Sequence, residues 1–171
     1  MSKFDQARNM PIYQKAVQIL KLTEGLVQII PKEDDFLQET SVRYMTEDAL
    51  IIPAKIIGAE AADWYDLRME NAALIRKAAR DLYVQAGSLR HHGIENIEYA
   101  DLLRKEIDEF RLLFIDWVAS FDVWNYIKDD WGLFNPPGVN AHDKDADEDI
   151  PFNPDDFFNF GPDDFEEDDD E

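Results

Sequence analysis

The side chains of this sequence that could do chemistry are carboxylates and a few imidazoles, since it has 38 Asp and Glu and 3 His but no Cys. A di-iron oxidase site in a helical protein needs an inward-facing Glu-x-x-His pair on each of two helices. None of the three histidines has Glu three positions before it, where the residues are Ser88, Leu89 and Val139. The spacing therefore predicts no di-iron centre.

The acidic run at residues 143–149 resembles the first half of a calcium-binding loop, because Asp occupies every second position. Such a loop needs Gly at its sixth position and a bidentate Glu at its twelfth, where this chain has Glu148 and Pro154. The sequence also has no nucleophile elbow and no phosphate-binding loop. We therefore expect no metal site, no cofactor and no enzymatic activity.

Charge divides the chain into two parts. The 171 residues carry a net charge of -21, which argues against the usual binding of nucleic acid through a basic surface. Residues 141–171 hold 15 acids and one base, a net of -14, and residues 1–140 hold 23 acids and 16 bases, a net of -7. A self-repelling segment cannot form a core. We predict a helical domain over residues 1–140 and a disordered acidic tail over residues 141–171, separated by the Asn-Pro-Pro-Gly segment 135–138.

Four segments have apolar residues at alternating steps of three and four, the spacing of helices in a left-handed bundle. The patterns run through residues 12–30, 42–56, 72–89 and 103–124. We predict an all-α, antiparallel up-down four-helix bundle, in which Pro53 kinks or splits the second helix. Without a signal peptide or a stretch that could span a membrane, we expect a cytoplasmic protein with no membrane partner.

Three short segments carry a resemblance to a known family. The first helix pattern contains Tyr-Gln-Lys-Ala-Val at residues 13–17 and is followed by Ile-Pro-Lys-Glu-Asp-Asp-Phe at residues 30–36. Weaker similarity lies in residues 49–56 and in Gly-Ser-Leu at residues 87–89. Over roughly residues 10–127 the chain resembles the four-helix-bundle family of proteins encoded in 23S ribosomal RNA intervening sequences and of retroelement accessory variability determinants.

The resemblance implies a bundle that assembles with copies of itself, since these proteins often form ring-shaped pentamers. It also implies an accessory role, because the retroelement members bind a reverse transcriptase and its RNA. The sequence departs from the family pattern at several positions. They are Thr46 and Glu47 in place of an arginine pair, Lys55 in place of Asn, Gly58 and Ala59 in place of Glu-Gly, and Gln85 and His91 in place of Ala and Glu.

A basic row on the third predicted helix is the first candidate binding site. Arg76, Lys77 and Arg80 lie within about one helical turn, and Arg90 follows further along. The row is either a solvated face with local ion pairs or a site for an anionic partner, such as RNA, an acidic protein segment or this chain's own tail.

The tail holds the second candidate site, a repeated Phe-x-Pro-Asp-Asp-Phe motif. The first copy begins at Phe152 and ends at Phe157, and the second begins at Phe160 and ends at Phe165. Alternating rings and carboxylates are typical of a disordered segment that folds on a partner, although a solubility tail would have a similar composition. We expect a homo-oligomeric, non-enzymatic adaptor whose tail binds a basic partner protein or its own bundle. The alternative is an accessory subunit of a reverse transcriptase or other RNA-handling enzyme, which binds through the basic row.

Overall fold

The computed structural model describes residues 2–94 and 98–144, and these form helices and loops without a strand. The helices are Lys3–Asn9 (α1), Pro11–Gln28 (α2), Asp35–Leu37 (α3), Arg43–Ala61 (α4), Tyr65–Ser88 (α5) and Glu98–Ala119 (α6). A π-helical turn, Gln38–Val42, joins α3 to α4. The expectation of an all-helical protein is thus confirmed for the described residues. None of their helices is both long enough and apolar enough to cross a membrane.

Helix α1 precedes the first of the four patterns and was not predicted. Its first turn is stabilised by a capping box, in which the Ser2 hydroxyl accepts from the Asp5 backbone N–H at 3.1 Å. The Asp5 carboxylate in turn accepts from the Ser2 N–H at 3.1 Å. With seven residues and only Ala7 buried, the helix is too short to show an apolar period.

Helix α2 follows its predicted pattern closely. Pro11 occupies its first position, where the missing N–H costs nothing. The apolar stripe is buried, and so is Thr23, whose hydroxyl donates to the Ile19 carbonyl at 2.9 Å. That bond satisfies the one polar group on an otherwise apolar face.

Helix α4 continues through Pro53, so of the two outcomes expected at this position, a kink or a split, the split does not occur. Pro53 is buried on the same helix as Met45, Ile52 and Ile56, which are also buried. Packing of these buried residues offsets the loss of the backbone hydrogen bond that proline cannot make, because most helical stability in proteins comes from tertiary contacts.

The two remaining helices end differently. The end of α5 agrees with the prediction, since a 3₁₀ turn, Leu89–His92, leads into Gly93 at a left-handed φ of 65°. Helix α6 is shorter than its pattern and ends at Ala119, so that Phe121 and Trp124 lie in the following loop. The Ser120 side chain donates to the Trp117 carbonyl at 2.6 Å, and such local bonds compete with further helix.

Each of the four long helices packs against two of the others: α4 against α2 and α5, and α6 against α2 and α5. Their facing stripes form one hydrophobic core. Rings along α6 and in the loop that follows it extend this core, with the centroids of Phe110 and Phe114 6.1 Å apart and those of Trp117 and the loop residue Phe121 4.8 Å apart. Within the described residues, those up to Ala141 form one compact unit.

Candidate functional site

The basic row divides into two side chains that form ion pairs within the fold and two that line a groove. Lys77 on α5 forms an ion pair with Asp81 one turn later, at 2.6 Å. This hydrogen bond to Asp81 raises the pKa of the Lys77 ammonium. Arg90 forms an ion pair with Asp101 on α6. Lys77 and Arg90 therefore have partners within the fold, as expected for a solvated face with local ion pairs.

Arg76 and Arg80 instead line a groove of about 300 Å³ between α5 and α6. Arg111 joins them from α6, so that three guanidinium groups border one groove. The remaining lining residues form an apolar floor with a single carboxylate. They are Ala79, Tyr83, Ile107, Asp108, Phe110 and Phe114. We call this site the arginine groove.

The floor of the arginine groove is a fixed surface. Ala79 and Phe110 belong to the buried core, and Phe114 is half-buried against it. Tyr83 is held by the Arg104 guanidinium, which lies 4.2 Å from its ring centroid. The floor is thus supported by the core packing of both helices.

The three arginines of the groove have few interactions with carboxylates of the fold. Neither Arg76 nor Arg111 makes a hydrogen bond or an ion pair within residues 2–94 and 98–144. The Arg80 Nε atom lies 3.8 Å from the Asp81 Oδ1 atom, and the same Asp81 carboxylate already accepts a hydrogen bond from Lys77. The groove therefore presents three guanidinium groups against one lining carboxylate, on a chain with a net charge of -21.

Arg111 is not part of the predicted basic row, because that row was defined by residues of a single helix. Arg111 follows the core residue Phe110 directly, so its Cα is placed about 100° around α6 from the core direction. A basic residue beside the core stripe, on a helix that packs against the basic row, was the available signal. Identifying it requires knowing that α5 and α6 are neighbours.

Two polar clusters elsewhere bind helices together. Lys15 of α2 donates to Glu106 of α6 at 2.6 Å and to Glu109 at 2.7 Å. These hydrogen bonds raise the pKa of the Lys15 ammonium. Glu60 of α4 accepts from the Trp117 indole N–H of α6 at 2.8 Å and from Arg68 of α5 at 2.6 Å. Both clusters pair opposite charges across helix contacts and are accounted for by the fold.

The other candidates from the sequence are placed as follows. His91 and His92 lie in the 3₁₀ turn, and no group of three or more His, Asp or Glu in the described ranges could hold a metal ion. The tail residues Phe152, Phe157, Phe160 and Phe165 lie outside the described residues.

Comparison of the chain with protein-family models, with curated proteins and with solved structures finds no match. The resemblance drawn from residues 10–127 therefore stays a prediction.

Proposed function

We propose that this chain is a non-enzymatic adaptor, built on an antiparallel up-down bundle of α2, α4, α5 and α6, that binds acidic, aromatic protein segments in the arginine groove. The segment we propose for the groove is the Phe-x-Pro-Asp-Asp-Phe motif of the chain's own tail, residues 141–171. The same tail is then available to a basic partner protein when it leaves the groove.

One observation carries the proposal: Arg76, Arg80 and Arg111 surround an apolar floor formed by the core. The motif has the complementary chemistry, since each copy has two adjacent Asp residues between two Phe residues. A phenylalanine ring on the floor would gain about 1.5–3 kcal/mol from burial. Ion pairs at exposed arginines add little each, about 0–1 kcal/mol, but they select acidic segments over neutral ones.

Covalent attachment makes a weak site sufficient. A segment tethered to the same chain through a short flexible link has an effective concentration in the millimolar range. Two copies of the motif, eight residues apart, double the number of segments that can enter the groove. A partner with a basic surface must then compete for the tail, which would make binding of the tail dependent on that partner.

Assembly with further copies is the second part of the proposal. Large apolar side chains are exposed on α4, α5 and α6, beyond what the core covers. They include Leu50, Leu74, Val84, Leu102, Leu112 and Ile115. Exposed apolar surface of this kind is typical of faces that pack against another subunit. A ring such as the pentamer implied by the family resemblance would cover them.

The test uses a fluorescent peptide with the sequence of residues 152–157, Phe-Asn-Pro-Asp-Asp-Phe, added to the full-length chain. We expect Arg76→Glu and Arg111→Glu each to weaken binding about fivefold, and added salt to weaken binding to the parent chain because the arginines are exposed. Lys105→Glu is the matched control, because Lys105 is exposed on the same helix as Arg111 and is not among the groove-lining residues. Replacing the four motif phenylalanines by alanine in the full chain should strengthen peptide binding, since the internal competitor is removed.

Three results would overturn the proposal. In the first, the Arg111→Glu and Lys105→Glu variants bind the peptide equally well. In the second, the four Phe→Ala replacements leave peptide binding unchanged. In the third, a peptide in which both Asp are replaced by Asn binds as well as the parent peptide. If a single-stranded RNA binds instead of the peptide, and Arg76→Glu with Arg80→Glu abolishes that binding, the accessory role in RNA handling replaces this proposal.

A further inference from the structure

The loop that follows α6 exposes large apolar side chains to an unusual degree. The exposed fractions are 87% for Trp124, 90% for Trp131 and 75% for Leu133. Tryptophan is enriched at the energetic centres of protein interfaces and is rarely left in water without a partner. The loop therefore has the composition and exposure of an interaction surface.

Hydrogen bonds hold this loop in one conformation. The Asp129 carboxylate accepts from the backbone N–H groups of Trp131, Leu133 and Phe134 at 2.9, 2.8 and 2.9 Å. These bonds lower the pKa of the Asp129 carboxyl, so it stays charged at neutral pH. The Asn135 amide donates to the Asp129 carbonyl at 2.8 Å and accepts from its N–H at 2.7 Å. The exposure of Trp131 and Leu133 is thus produced by a constrained turn.

The loop is also attached to the first turn of α5. The Asp66 carboxylate accepts from the Ile127 N–H at 3.0 Å, and the Tyr65 N–H donates to the Asn125 carbonyl at 2.7 Å. Between the loop and α5 lies a cleft of about 580 Å³. It is lined by Asp66, Leu67 and Glu70 of α5 and by loop residues that include Trp131, Leu133 and Phe134. We call it the tryptophan cleft.

The charge of the tryptophan cleft is opposite to that of the arginine groove. Four carboxylates line it against one ammonium, Lys128, which lies 3.2 Å from Asp130. Glu70 is exposed and forms no ion pair with the residues that the structure describes. An acidic segment such as the tail would be repelled here, whereas a cationic side chain would find both carboxylates and the face of an exposed indole.

We propose that the tryptophan cleft binds a basic protein segment, with an arginine side chain stacked on the Trp131 ring and paired with Glu70. Arginine is the cation best suited to this site, because its planar guanidinium stacks on aromatic rings while its N–H groups bind carboxylates. Leu67, Leu133 and Phe134 supply the apolar contacts for the rest of the segment. The inference uses residues separate from the arginine groove, so either site can fail its test without the other.

The test follows the indole N–H signals of Trp64, Trp117, Trp124 and Trp131 by nuclear magnetic resonance in the full-length ¹⁵N-labelled chain. The probe is a peptide of alternating glycine and arginine, and a glycine–glutamate peptide is its control. We expect the arginine peptide to shift Trp131 most and to leave Trp117 unchanged, since the Trp117 indole is bound to Glu60 inside the fold. An arginine peptide bound only by the acidic tail would leave Trp131 unmoved, which would overturn the inference.

Matched variants give the second readout, the affinity of a fluorescent arginine peptide measured by anisotropy. Trp131→Ala should weaken binding about fivefold, the factor expected for one cation–π contact. Trp124→Ala is the control, because Trp124 is exposed to a similar degree but does not line the cleft. Glu70→Gln should weaken binding and reduce its dependence on salt. Equal affinities of the Trp131→Ala and Trp124→Ala variants would overturn the inference.

Discussion

Replacement of Lys15 by methionine tests how the contact between α2 and α6 is stabilised. The Lys15 ammonium is the cation that pairs with Glu106, whose residue is only 7% exposed. Methionine keeps most of the length of the aliphatic stem but removes the charge. The change therefore leaves a buried carboxylate without its cation, while the apolar packing of the stem is largely kept.

The size of the effect can be bounded. Breaking a buried ion pair from one side typically costs 3–5 kcal/mol, because the remaining charge is left in a poor solvent. The carboxylate can escape this penalty by taking up a proton, which costs an ordinary glutamate about 4 kcal/mol at pH 7 and about 1 kcal/mol at pH 5. We therefore expect Lys15→Met to lower the free energy of unfolding by roughly 2–4 kcal/mol at pH 7, and by about 1 kcal/mol at pH 5.

The sign of the pH dependence follows from proton binding. A carboxylate that is buried without a cation binds a proton more readily than a carboxylate in water, because burial disfavours the charged form. The variant is therefore stabilised, relative to the parent chain, as the pH falls from 7 to 5. Glu109 contributes less to the difference, since its side chain is 45% exposed and stays hydrated.

The assay is urea unfolding followed by circular dichroism at several pH values, with two companion variants. Lys15→Met combined with Glu106→Leu should recover most of the loss, because an apolar pair replaces the buried ions. Arg43→Met should leave the unfolding midpoint unchanged, since the Arg43–Glu47 pair lies in solvent with 67% and 53% of its side chains exposed. A Lys15→Met variant as stable as the parent chain at pH 7, or one whose deficit does not shrink at pH 5, would refute the reasoning.

Two further predictions concern stability and assembly. Burial, and then the negative charge of Asp81, raise the pKa of Asp48 to about 6. The folded state therefore binds this proton more tightly than the unfolded state, and the contribution of Asp48 to stability is lost as the pH rises through about 6. Asp48→Asn should therefore raise the free energy of unfolding at pH 7 by about 1 kcal/mol after allowance for solvent screening, and should not raise it at pH 4. Urea unfolding at both pH values measures the difference, and a loss of stability at pH 7 would contradict the prediction. Light scattering of the full-length chain should give a mass several times 19.9 kDa. The double change Leu112→Glu with Ile115→Glu should lower that mass, because both side chains are exposed apolar residues of α6. A monomeric mass for the parent chain would remove the oligomer from the proposal.

Apolar periodicity was a reliable guide wherever a helix buries a continuous stripe. The stripes of α2 and α5 are in the core at the predicted positions, and Gly93 ends the α5 region as expected. The pattern extended too far at the end of α6, because Phe121 is buried in the core from a loop position. Spacing alone cannot tell a buried loop residue from the next turn of a helix. It also missed α1, which is defined by its capping box.

The candidate sites were only partly foreseen for a related reason. The sequence showed Arg76 and Arg80 as neighbours on one helix, because side chains four residues apart share a helical face. It also placed Lys77 and Arg90 in the same row, and the structure pairs them with Asp81 and Asp101. The addition of Arg111 depends on which helices are in contact. The tryptophan cleft likewise depends on hydrogen bonds between residues about sixty positions apart in the chain.

The amino-acid sequence by itself determined that this protein is helical, that its apolar residues fall into four stripes, and that negative charge accumulates toward residue 171. These properties follow from residue type and local spacing, which need no knowledge of distant neighbours. Only the tertiary structure decided which cations are paired, which line a groove, and which tryptophans remain in solvent. Pairing and burial are settled by contacts between distant segments, and the energies of such contacts depend on the side chain across the interface as much as on the residue itself.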